Sequence, residues 1–215
     1  MRLRNVKNKE EILNNCEQLI QNPSDYKGKW KDIFQNDHSI YLEIGMGKGD
    51  FIIQNALQNP KINYIGIEKF DSVLAKAIPK LPSLPNLKII RFDAIHIEDI
   101  FANEIDKIYL NFSDPWPKNR HAFRRLTSPE FLKRYDTIFK DEKRIEMKTD
   151  NEDLFTYSIE TLSQHGYHLM EVYLDYHAKE ENIIMSEYEK RFVVRGQKVF
   201  HLFAKKWWIS IKFLL

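Results

Sequence analysis

Short apolar runs alternate with amphipathic stretches along this chain, and no other property narrows its architecture as far. The strand-like runs are S-I-Y-L-E-I-G near 39–45, N-Y-I-G-I-E ending at Glu68, L-K-I-I-R-F ahead of Asp93, K-I-Y-L-N-F from Lys107, and R-I-E-M-K-T ending at Asp150. Between them, helical spacing joins Phe51, Ile52, Ala56 and Leu57 and stops before Pro60; it returns over 71–77, near 129–139, and over 151–165, where Gly166 supplies the C-cap. Residues 9–22 carry Ile12, Leu13, Cys16, Leu19 and Ile20 at the same spacing, with Pro23 as the stop, and a polar, turn-rich stretch leads on to the first strand. Two late runs, near 168–174 and 198–204, flank a polar loop. Such alternation predicts an α/β fold, a doubly wound sheet with helices on both faces.

A chain of 215 residues that is 43% hydrophobic has material for one compact domain. Its expected divisions are a basic N-terminal extension with a helix (1–38), the main domain (39–205) and an apolar tail (206–215). Cys16 is the only cysteine, which excludes an intramolecular disulfide and a Cys-rich zinc site and fits a reducing compartment. No run reaches the roughly 18 apolar residues of a membrane span, and the basic start has no signal core, so a cytoplasmic protein is expected. The net charge of +2 is mild. Its placement is not: Lys118, Arg120, Arg124, Arg125, Lys133 and Arg134 face only Glu130 between 118 and 134, and Arg2, Arg4, Lys7 and Lys9 form a second basic stretch.

Two motifs carry chemistry. In E-I-G-M-G-K-G, residues 43–49, Gly45, Gly47 and Gly49 allow a sharp strand-to-helix turn and close approach of a ligand. Glu43 just before the loop would repel a phosphate and suit a cationic or amine-bearing ligand. Glu68, about 20 residues on, ends the next strand where a carboxylate accepts from ribose hydroxyls. A tight βα turn between solvated acids would show the same residues. Asp93 suits either an adenine contact or the N-cap of A-I-H-I-E-D. The second motif, N-F-S-D-P-W-P-K-N-R-H-A-F-R-R-L-T over 111–127, puts Asp114 at a strand's carboxyl end directly before basic residues. Trp116 could stack on a base or anchor its loop, and His121 is a candidate phosphate or base contact. His165, His168 and His177 have no metal-ligand spacing, and no metal is expected.

An adenosine ligand with a positive centre and an amino-acid tail is S-adenosylmethionine, and these runs resemble the bacterial tRNA (guanine-N7-)-methyltransferase family from the basic start to about Gly196. The resemblance implies a Rossmann-like class I S-adenosylmethionine-dependent methyltransferase, with a mostly parallel seven-stranded sheet, that modifies the variable-loop guanine of tRNA. It implies cofactor contacts at Glu43, Gly45, Gly47, Gly49, Glu68, Asp93 and Asp114, and catalysis at Asp114. It further implies tRNA or guanine contacts at Lys118, Arg120, His121, Arg124, Arg125 and Asp150 and over Ser186, Glu187, Tyr188 and Glu189. At the last four the family has T-x-Y-E and this chain S-E-Y-E, which keeps the hydroxyl. The tail W-W-I-S-I-K-F-L-L has no family counterpart, and either a monomer or a homodimer is compatible. Alternatives are a methyltransferase acting on an exocyclic amine or another nucleic-acid target, and a non-catalytic RNA-binding protein on the same fold.

Overall fold

Parallel strands fed by helices build the centre of the molecule. The computed structural model describes residues 6–179 and 182–207. Its strands are β1 (Leu19–Ile20), β2 (Ile40–Ile44), β3 (Asn63–Glu68), β4 (Leu87–Arg91), β5 (Lys107–Asn111), β6 (Lys143–Thr149), β7 (His168–Tyr173) and β8 (Phe200–Lys206). Its α-helices are α1 (Lys9–Asn14), α2 (Trp30–Phe34), α3 (Asp50–Gln58), α4 (Asp71–Ala77), α5 (Pro129–Ile138), α6 (Glu152–Gln164) and α7 (Glu187–Val193). The sheet runs β1-β4-β3-β2-β5-β6-β8-β7, parallel from β1 to β6, with β8 antiparallel to both its neighbours.

Alternation along the strands makes two cores, one on each face. Leu42, Ile44, Ile65, Ile67, Ile108, Leu110, Ile145 and Met147 pack with side chains of α2, α5 and α6. Tyr64, Ile89 and Tyr109 point the other way, against α1, α3 and α4. Glu43, Glu146 and Lys148 alternate with first-core residues, so they share the face with Tyr109. That half of the face is covered by the segment between β7 and β8, whose Tyr176 ring stacks on His201 of β8 at 4.0 Å between centroids. Gly66 in β3 matters here because a Cβ on it would run into the Met46 sulfur.

Several expectations are corrected. Helix α1 stops at Asn14, and Leu19–Ile20 pairs in parallel with Ile89 and Ile90 as an edge strand, so the described sheet has eight strands rather than seven. Adjacent apolar residues such as Leu19 and Ile20 serve opposite faces of a strand as readily as one side of a helix. Leu57 is 55% exposed, since it sits about 100° round the helix from Ala56. The turn-rich stretch before β2 contains α2, whose Trp30 is fully buried and donates its indole N–H to the Ile100 carbonyl at 2.8 Å. The extension before β2 is therefore built into both cores. The polar loop holds α7. Arg2, Arg4 and residues 208–215 of the tail lie outside the described residues.

Candidate active site

After β2 the chain winds outward through β3 and β4, then returns to lay β5 along the other side of β2. Open α/β sheets take ligands outside the carboxyl ends of strands at such a switch point. Glu43, the glycine loop, Glu68, Asp93 and Asp114 all lie at this edge, because β2 to β5 are parallel and each residue ends or follows one of them.

The loop holds itself open. Gly45 and Gly47 have φ of 78° and 57°, left-handed values that penalise any side chain, and a Cβ built on either would meet nothing within 4 Å. The Gly45 and Met46 amides both donate to the Ile67 carbonyl, at 2.8 and 3.0 Å. Gly49 precedes α3 and faces Ile53 and Met46. Glu68 Oε2 accepts from the Gly47 amide at 3.2 Å and Oε1 from the Phe70 amide at 3.0 Å, and each oxygen keeps further acceptor capacity. Burial raises the Glu68 carboxyl despite these amides.

Glu43 is only 2% exposed, and its Oε1 accepts from Asn111 Nδ2 at 2.9 Å, joining β2 to β5. Its Oε2 and the Asn111 Oδ1 are buried without a hydrogen-bond partner among the described residues. Burial pushes the Glu43 carboxyl up to about 8, with the Asn111 hydrogen bond and the Lys148 charge offsetting only part of the shift. The two oxygens belong to residues joined by one hydrogen bond, and a cationic donor from outside the chain would pair with both and displace the proton that burial leaves on Glu43.

Beyond Glu68, an open hollow of about 420 Å³ is lined by Lys69, Phe70, Arg91, Phe92 and Asp93. Asp93 accepts from the Ile95 amide at 3.2 Å as an N-cap and remains exposed to the hollow, with Lys69 Nζ at 4.0 Å.

Past β5, Asp114 is exposed on a loop bent by two non-glycine residues in the left-handed region, Phe112 (φ 50°) and Trp116 (φ 44°). Each costs about 1–3 kcal/mol and persists only where the surroundings enforce it. Arg125 does so for Trp116: Nε donates to the Pro115 carbonyl at 3.0 Å, Nη2 to that of Trp116 at 3.1 Å, and the guanidinium lies 4.3 Å from the Tyr157 ring centroid. The Phe112 amide donates to the Lys148 carbonyl at 2.8 Å. Arg125 is buried, so the expectation that it grips a phosphate gives way to clamping this loop. Trp116 is half-buried, its ring 4.8 Å from the Arg124 guanidinium and 6.0 Å from the His121 ring. Lys118, Arg120 and Arg124 face solvent, and Arg120 Nε donates to His121 at 3.3 Å.

The remaining expected contacts converge on the start of α7. Ser186 and Glu189 form a reciprocal capping box. Glu189 is fully buried; Lys148 Nζ donates to its oxygens at 3.0 and 2.7 Å, and His177 Nε2 lies 3.0 Å from Oε1. Lys148 also donates to the Ile184 carbonyl at 2.9 Å. Tyr188 is half exposed, 5.3 Å from the Phe112 ring, and Asp150 is half-buried just past β6. Glu187 turns to Lys48 in the glycine loop, 2.7 Å away. Asn111, Lys148 and His177 were missed from sequence. One signal was present for Lys148: the alternation that puts Ile145 and Met147 in the core sends it to the site's face. Among the described residues no cluster of His, Cys, Asp or Glu is arranged to hold a metal ion, and no helix is long and apolar enough to cross a membrane.

Comparison with known proteins places the chain among methyltransferases. A family profile described as "Putative methyltransferase" matches residues 37–202. A tRNA (guanine-N(7)-)-methyltransferase of Lachnoclostridium phytofermentans is 50% identical, covering 95% of this chain and 98% of its own. One from Streptococcus uberis is 48% identical over 95% and 99%. Among solved structures, a 16S rRNA (adenine(1408)-N(1))-methyltransferase of Catenulisporales acidiphilia with its cosubstrate SAM superposes with a TM-score of 0.63 at 14% identity, covering 85% and 92% of the two chains. At that identity the likeness bears on the fold, which is that of a Rossmann-like methyltransferase.

Proposed function

Because the chain belongs to the tRNA (guanine-N(7)-)-methyltransferase family, we propose that it methylates N7 of a variable-loop guanine in tRNA with S-adenosylmethionine as donor. The observation that carries this reading is the pair of buried, unpartnered oxygens, Glu43 Oε2 and Asn111 Oδ1, beside a glycine loop with free space at Gly45 and Gly47. A donor with a cationic amine, a ribose and an adenine fits the residues in order. Glu43 and Asn111 would take the ammonium, Glu68 the ribose hydroxyls, and the hollow between Phe70 and Asp93 the adenine. Gly49 fixes the start of α3 beneath them.

When bound, S-adenosylmethionine supplies a methyl group on a positively charged sulfur. Guanine N7 carries a lone pair and needs no deprotonation before it attacks. As the N7–C bond forms and the S–C bond breaks, positive charge moves onto the purine. Asp114, exposed on its clamped loop, stabilises that developing charge more than the neutral base, which is the kind of interaction that lowers a barrier. Asp150 and the Ser186–Glu189 corner orient the base, with Lys148 and His177 holding the Glu189 carboxylate in one place. Alignment of this sort contributes up to roughly 7 to 11 kcal/mol in well-placed cases. Lys118, Arg120, His121 and Arg124 are left to meet the RNA backbone.

Asp114→Ala is expected to lower methyl transfer by at least about a hundredfold, the scale of losing one preorganised electrostatic contact, while tRNA binding stays within a few-fold. Single-turnover transfer and filter binding measure the two separately. Equal transfer by the variant would remove Asp114 from the chemistry.

A further inference from the structure

The glycine loop and the start of α7 are joined through Lys48, a side chain that the transfer chemistry does not use. Lys48 lies between Gly47 and Gly49, and its Nζ reaches Glu187 Oε1 at 2.7 Å. The same carboxylate meets Lys80 at 3.5 Å and pairs with Arg191 one turn along α7. The hydrogen bond from Lys48 is the main cause that holds the Glu187 carboxyl below its ordinary range. Gln54 of α3 adds a hydrogen bond to the Met185 carbonyl at 3.2 Å. Two residues past Glu187, Glu189 is fixed from the other side by Lys148. Tyr188 thus stands between two anchored carboxylates with its ring against Phe112 of the Asp114 loop. On the other side of Lys48, the Gly47 amide is tied to Glu68. Glu68, Gly47, Lys48, Glu187 and Tyr188 therefore form one connected path from the ribose end of the donor site to the guanine side.

We propose that Lys48 is a positioning residue that couples the two substrates: by gripping Glu187 it makes the register of residues 184–189 depend on the state of the glycine loop, so that filling the donor site tightens tRNA binding. The inference rests on the assignment of the donor and guanine sites given above. Coupling between sites is reciprocal and commonly amounts to 5- to 150-fold, roughly. An ion pair this exposed, with about a third of each side chain in water, adds little to stability by itself, so its removal should be felt in coupling and not in folding.

The test measures tRNA affinity by filter binding with and without saturating S-adenosylhomocysteine, for the wild type, Lys48→Met, Lys48→Arg and Glu187→Gln. The expected result is a wild-type affinity gain of about fivefold or more, retained by Lys48→Arg and reduced to about one by Lys48→Met and Glu187→Gln, with S-adenosylhomocysteine still bound by each. A gain equally large in Lys48→Met, or no gain in a wild type that binds both ligands, overturns the coupling. A wild type that binds neither ligand instead contradicts the underlying site assignment.

Discussion

Burial holds the Glu43 carboxyl at about 8, far above an ordinary carboxylate, and the consequence can be read in stability. Between the usual carboxylate range and pH 8 the unfolded chain has released a proton that the folded chain retains. Stability from this group is therefore fully present at low pH and is lost as pH rises through that window. The ligand-free protein should melt at progressively lower temperature from pH 5 to pH 8.5, and Glu43→Gln, which mimics the protonated acid, should flatten that slope. A slope unchanged in the variant would show that Glu43 ionises freely. Strand-end acids such as Glu43 and Glu68 were legible in the sequence because each stands beside a glycine turn or at a fixed interval after it. Asn111, Lys148 and His177 were not, because their roles come from partners 68, 41 and 12 residues away, and pairings of that kind are set by the fold.

At the scale of elements, the Asp114 loop divides the arginines that follow it into two kinds. Arg124 faces outward and Arg125 inward, although they are neighbours in one basic run. Arg124→Ala should weaken tRNA binding and reduce the slope of log affinity against log salt by about one, the value of one phosphate contact. Arg125→Ala should leave that slope unchanged, cost about 1–3 kcal/mol of stability through the carbonyls it abandons, and slow transfer by loosening the loop that carries Asp114. The salt series and a denaturant titration separate the two, and a salt slope that moved equally in both variants would contradict the division. A run of like charge shows where a basic face lies but not which members turn inward. Strands β2 to β6 were legible because apolar runs of five to seven residues between helices have one sensible pairing. The short elements β1, α2 and α7 were not: two to seven residues carry too little periodicity, and each owes its existence to a contact far along the chain, such as Ile89 for β1 or Lys148 for α7.

For the whole molecule, the parallel half of the sheet supplies a rigid edge, and the segment between β7 and β8 closes over it from the antiparallel half. Doubly wound topology puts the switch point between β2 and β5, and the sequence alternation was enough to anticipate that edge. What covers the polar half of the second face was not legible, because that stretch reads as a loop and its contacts, to Lys148, His201, Lys48 and Gln54 among others, come from distant parts of the chain. Exocyclic-amine and N7 methylation of guanine give products of equal mass, so the atom modified decides the function. The most direct measurement incubates the protein with labelled S-adenosylmethionine and unmodified tRNA transcripts, then cleaves the RNA selectively at N7-methylguanine. Label in tRNA with scission at a single variable-loop guanine is the expected result; label without scission, or no label at all, would contradict it.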